Sequence, residues 1–191
     1  MKHINTIIGL SGVARVGKDS FALHLSDIIR NEFNKECQIV SFAHCLKSNI
    51  NNFLEENTGV SAFTQDTKEK AFIRPLLVAY GMTMRTLIPD YWIMRLEPSL
   101  KTNQRTGIIS IITDVRFPNE IDYIHNLKNS SVIHLARKGT DGVLLSPANE
   151  EEAYNDPICA SKCDYDFTWE TFKDDSKRYK EYIEDNFLSL L

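Results

Sequence analysis

Residues Gly12 to Lys18 read GVARVGK, the GxxxxGK pattern of a loop that wraps a nucleotide's phosphates. Glycines let the backbone curl until successive N–H groups point inward, and the following helix N-terminus adds its own donors. A lysine at position 18 neutralises the β- and γ-phosphates, so Gly12, Val13, Ala14, Arg15, Val16, Gly17, Lys18, Asp19 and Ser20 form the candidate ATP cradle. Arg15 is a second cation inside the loop, either on phosphate oxygens or in solvent. The position after Lys18 holds Asp19, where the pattern has Ser or Thr for magnesium, and Ser20 comes one later. Both are hard oxygen ligands, so the metal falls to Asp19 or Ser20.

Moving a phosphoryl group between two polyanions needs further cations, placed to offset charge at the transferring group. Arg116 follows the apolar run IISIIT and Arg137 follows the next one, VIHL. Both stand at the carboxyl ends of expected parallel strands, the edge where open α/β sheets bind ligands. With Lys18 they are the candidate catalytic residues. Lys47, Arg74 and Arg85 are the remaining candidate cations, each with a solvated or ion-paired surface role as its alternative. Asp114, in the short turn DVRFPNE with Arg116 and Glu120, stands where such proteins place an acid for magnesium or substrate. Asn119 is the expected N-cap of the next helix. Trp92, beside Tyr91, is suited either to stack on a base or to fill a core.

The elements that must hold these residues follow a strand, helix, strand rhythm. Residues 4–10 read as a buried parallel strand, 18–33 as an amphipathic helix, and 37–43 as a second strand. A weak helix at 44–54, a polar loop at 55–66, a helical region at 68–87 around Pro75 and Gly81, and a helical piece at 91–96 make up a helical insert over 44–98. A polar segment at 98–107 leads into the β-branched strand 108–113, which is followed by a helix at 119–127 and a strand at 132–135. Residues 137–150 read as a glycine-containing loop, a candidate lid, and 165–168 and 174–190 as a last strand and helix. The predicted fold is α/β, a three-layer sandwich with a parallel sheet between helices on both faces, in a single domain over 1–191.

Composition narrows the function classes. With 42% hydrophobic and 25% charged residues, the 191-residue chain is an ordinary globular sequence. Its net charge of -4 argues against a nucleic-acid binder that works through phosphate contacts. No window approaches the roughly 20 apolar residues that span a bilayer, and the short apolar start lacks a signal-peptide pattern, so no membrane association and a cytoplasmic location are expected. Cys37, Cys45, Cys159 and Cys163 are expected to be reduced thiols, and the Cys159/Cys163 pair lacks the further ligands of a zinc site.

The blocks SGVARVGKDS, SFAHCLK, IRPLLVAYG with Arg85, DYWI, TDVRFPNEID and VIHLARKG together resemble the bacteriophage-type deoxynucleoside monophosphate kinases, a branch of the P-loop nucleoside monophosphate kinase superfamily. The GKD form of the loop is itself a feature of that family. The resemblance implies ATP as co-substrate with Mg2+, and conversion of deoxynucleoside 5'-monophosphates to diphosphates. It also implies a monophosphate acceptor site lined by Lys47, Arg74, Trp92, Asp114, Arg116 and Glu120, with Arg85 beside it and Arg137 at the lid edge. Family members are often dimeric, so a homodimer stays open, and a phage-encoded chain would work in the host cytoplasm. Two other readings also stay open. One is a P-loop kinase for another small acceptor, of the phosphomevalonate or dephospho-coenzyme A type. The other is a nucleotide-binding regulator without turnover, against which the several cations outside the loop argue.

Overall fold

A computed structural model describes residues 5–170 and 181–185. The chain divides into two compact units, one drawn from the described residues of Met1–Val40 and Ser99–Leu191, the other spanning Ser41–Pro98.

The first unit is built on five parallel strands, β1 (Ile7–Ser11), β2 (Cys37–Val40), β3 (Ile109–Val115), β4 (Ser130–Lys138) and β5 (Tyr165–Glu170), in the order β2-β3-β1-β4-β5. β1 is buried along its whole length, so its sequence shows no apolar–polar alternation and is apolar up to Ser11. Helix α1 (Lys18–Phe33) packs Phe21, Ala22, Leu25, Ile28 and Ile29 against Ile8, Leu10, Ile111, Ile133 and Leu135 on one face of the sheet. On the other face, helix α5 (Pro118–His125) sets Ile124 against Gly9, where an added Cβ would lie 3.0 Å from the Ile124 side chain. A further helix, α6 (Glu150–Lys162), packs beside α5 and β1. The parallel sheet between helical layers is the fold expected from the sequence.

The second unit is helical: α2 (Phe42–Thr58), α3 (Thr67–Leu87) and the first half of α4 (Tyr91–Thr106). Ile50, Leu54, Ala62 and Ile73 form its small core.

Several boundaries differ from expectation for identifiable reasons. β2 stops at Val40 because Ser41 caps α2, its hydroxyl accepting from His44 N at 3.0 Å. That helix runs to Thr58, so the polar loop shrinks to 59–66. α4 continues through Pro98 to Thr106, because Leu100 and Asn103 prolong the buried stripe begun by Trp92, Ile93 and Leu96. Asn119 is not the cap of α5. Phe117 holds that position and Pro118 opens the helix, with Glu120 reaching back to supply the acceptor. α6 was not expected from its polar sequence. The predicted strand 4–10 begins, and most of the predicted helix 174–190 lies, outside the described residues. Within them, 181–185 is helical and Ile183 is buried.

Candidate active site

Strand order brings three loop beginnings together. On β1, Ser11 pairs with Val115 of β3 on one side and with His134 of β4 on the other. Gly12 therefore starts its loop level with Arg116, which lies one residue past Val115, and near Arg137, which lies three past His134. β4 is longer than expected, so Arg137 falls inside the strand, half-buried, and its carbonyl accepts from Leu145 N at 2.9 Å. β3 also extends two residues further than expected and contains Asp114.

The loop has the backbone its glycines permit. Gly12 adopts φ +126°, and a Cβ there would lie 2.1 Å from the Leu135 carbonyl oxygen of β4, so only glycine fits. Gly17 adopts φ +92° at the N-cap of α1, and a Cβ there would meet the Trp169 ring at 2.4 Å. Trp169, fully buried on β5, donates its indole N–H to the Val16 carbonyl at 2.6 Å. Phe21 and Phe167 pack edge-on around it with ring centroids 5.3–6.4 Å apart. Arg15 stands exposed at φ +70° at the loop's crest, while Val13 and Val16 anchor the loop in the core.

Lys18 is only 8% exposed, and its ammonium donates to the carbonyls of Gly12 and Val13 at 2.7 and 2.8 Å. Burial, and then the Arg116 guanidinium, lower its pKa from 10.5 to about 8, against the opposing pull of Glu152, Asp114 and Asp19. Lys18, Arg116, Asp114 and Asp19 therefore share one electrostatic environment around the loop. Asp19 and Ser20 are both exposed in the first turn of α1. Their hard oxygen donors suit a magnesium ion whose other ligands are water and phosphate. Among the described residues no group of three or more His, Cys, Asp and Glu is arranged to hold a metal ion.

Glu120 is fully buried and its carboxylate accepts from the backbone N–H of Arg116 at 2.8 Å and of Phe117 at 3.1 Å. This carboxylate fixes the turn that presents Arg116. Sequence reasoning missed Glu152, on the first turn of α6. One of its oxygens accepts from Ala14 N at 3.2 Å and Ala148 N at 2.9 Å, and the other pairs with Arg116. Burial disfavours its ionisation, but the Ala148 and Ala14 donors, Arg116 and Lys18 outweigh that and hold its pKa below the usual value. Asn149 followed three residues later by Glu152 is the N-cap spacing that could have revealed the helix.

The other sequence candidates belong to the helical unit. Lys47 on α2 carries its ammonium 5.9 Å from the Phe63 ring centroid. Arg74 is exposed and lines an open groove on α3 with Thr67, Lys70, Ala71 and Val78. Arg85 sits half-buried in the last turn of that helix. Trp92 is 1% exposed and donates its indole N–H to Gly81 O at 3.1 Å, with the Tyr80 and Tyr91 rings packed edge-on against it. In this packing Trp92 serves as core rather than as an open stacking surface.

Known structures share this fold. A dephospho-CoA kinase from Campylobacter jejuni superposes with a TM-score of 0.50 at 9% identity, over 97% of this chain and 99% of that one. TT1252 from Thermus thermophilus does so with a TM-score of 0.50 at 13% identity, over 100% and 99%. At such identities the likeness is one of fold. A search of curated proteins returns no match. Residues 10–130 match the family model of phosphomevalonate kinase, a stretch that contains the phosphate loop, α2 to α4 and the turn with Asp114 and Arg116. The chain belongs to the phosphomevalonate kinase family and is a P-loop kinase of a small substrate, with ATP as the co-substrate that family membership implies.

Proposed function

We propose that the chain transfers the γ-phosphoryl group of Mg-ATP to the phosphate oxygen of a small phosphomonoester, giving ADP and a diphosphate. The observation that carries this reading is the clustering of Lys18, Arg116 and Asp114 around a loop whose backbone only glycine can adopt. In the transfer, the acceptor's phosphate oxygen attacks the γ-phosphorus in line and the bond to the β-bridging oxygen breaks, leaving ADP. Lys18 and the loop N–H groups bind the donor phosphates, and Arg116 offsets charge on the transferring group. Asp19 or Ser20 would hold magnesium, which would supply neutralising charge at the donor phosphates. No covalent enzyme intermediate is required.

The family match supports a phosphomevalonate-type acceptor over a deoxynucleoside monophosphate. Deoxynucleoside monophosphates are the second reading, carried by the blocks SGVARVGKDS and TDVRFPNEID. Lys47, Arg74 and Arg85 supply cations for an acceptor's phosphate under either reading. A coupled ADP-release assay offers Mg-ATP with phosphomevalonate, dephospho-coenzyme A, each deoxynucleoside monophosphate and the ribonucleotides in turn. Turnover confined to phosphomevalonate supports the first reading, and turnover confined to the deoxynucleotides supports the second. ATP binding without acceptor-dependent ADP release from any of them would overturn both.

A further inference from the structure

The Glu152 carboxylate stands where a phosphate is expected. One oxygen sits on the N–H of Ala14, inside the phosphate loop, and the other on the Arg116 guanidinium. Both donors are ones the kinase reading assigns to phosphoryl oxygens. The side chain is 8% exposed, and its first oxygen also accepts from Ala148 N, so it fastens the residues before α6 onto the loop. Glu151, its neighbour, is exposed and makes no such bridge.

We infer that Glu152 is a built-in competitor for the phosphate site: its carboxylate and the donor's terminal phosphate claim the same N–H and the same arginine, so nucleotide binding exchanges one anion for the other. The exchange has two consequences. Arg116 is handed from Glu152 to the transferring group only when a donor phosphate is present, which keeps the partly exposed guanidinium oriented between turnovers. The residues 148–152 lose their hold on the loop at the same moment, so filling of the donor site is reported to the chain around the start of α6. This inference rests on the assignment of Gly12 to Lys18 as the phosphate site.

Two measurements test it. Calorimetry compares Mg-ATP and inorganic pyrophosphate binding to the wild type, Glu152→Gln and Glu151→Gln, with thermal unfolding to confirm each fold. The glutamine keeps an acceptor oxygen for Ala148 N but loses the charge that draws Arg116. Glu152→Gln is expected to bind both ligands about tenfold more tightly, the scale of one charge-assisted contact, with Glu151→Gln unchanged. Amide hydrogen exchange on the wild type then reads the segment directly, and exchange at 148–152 is expected to rise when pyrophosphate binds. Equal or weaker binding by Glu152→Gln, or equal tightening by both variants, overturns the competition. So does exchange at 148–152 that stays the same or slows. A wild type that binds neither ligand removes the phosphate-site assignment and this inference with it, whereas a wild type that binds both while Glu152→Gln gains nothing sinks the inference alone.

Discussion

Replacing Trp169 with phenylalanine probes how the phosphate loop is held. The change deletes the N–H that bonds to Val16 O at 2.6 Å and leaves that buried carbonyl without this donor, at a cost of about 1–3 kcal/mol. It also removes part of a fully buried ring packed against Phe21, Phe167 and the Gly17 backbone, worth about 1–2 kcal/mol more. The combined loss of about 2–5 kcal/mol lowers Tm by about 4–20 °C for a chain of this size. Because the freed carbonyl belongs to the loop itself, KM for ATP should also rise about tenfold, equivalent to ~1.4 kcal/mol. The assay is differential scanning fluorimetry with steady-state kinetics in varied ATP. Trp92→Phe is the control, since it removes a comparable indole bond, to Gly81 O, within the helical unit. A Trp169→Phe protein with normal Tm and normal KM for ATP would refute the idea that β5 shapes the loop. Loss of Tm alone, matched by Trp92→Phe, would reduce Trp169 to ordinary core.

Lys18→Met should cut kcat about 100- to 1,000-fold; near-normal turnover would overturn the phosphate-loop assignment. The pH dependence has a definite sign. With a folded pKa of about 8 against 10.5, Lys18 binds fewer protons in the folded state between those values, so its contribution to stability of the ligand-free protein rises across that window. ATP needs the ammonium form, so its affinity should fall as pH rises through about 8, with proton uptake on binding measurable by calorimetry in buffers of different ionisation enthalpy; a flat affinity from pH 7 to 9.5 would contradict this. Arg116→Ala should lower kcat far more than it raises KM for ATP, and unchanged kinetics would make Arg116 a surface cation. Gly12→Ala should fail to reach a stable fold or lose nucleotide binding, since the added Cβ meets a backbone oxygen at 2.1 Å; a stable, fully active variant would exclude the backbone shape described.

The phosphate loop was legible because its chemistry is local: glycine spacing, a lysine and a flanking strand and helix all fall within about twenty residues. The parallel sheet was legible for a similar reason, since strands buried on both faces must be continuously apolar, as IISIIT is. The rest depends on partners distant in sequence. Glu120 reads as an acceptor-site residue, and its bonds to the Arg116 and Phe117 amides are visible only once the turn is folded. Glu152 lies 36 residues beyond Arg116, in a stretch whose polarity hides a helix that buries only one narrow face. The helical piece 91–96 reads as ending before a polar segment at Pro98, yet α4 continues through it, and Trp92 reads as stacking surface or core until its burial is seen.

The loop that gives the family its chemistry is made within the first twenty residues, but its supports come last. The Leu135 carbonyl that excludes any side chain at Gly12 lies on β4, and the indole that fixes Val16 lies on β5. During synthesis the nascent loop is therefore expected to lack these supports until β4 and β5 have been made. A fragment that carries the whole motif but stops before β4 should bind no nucleotide.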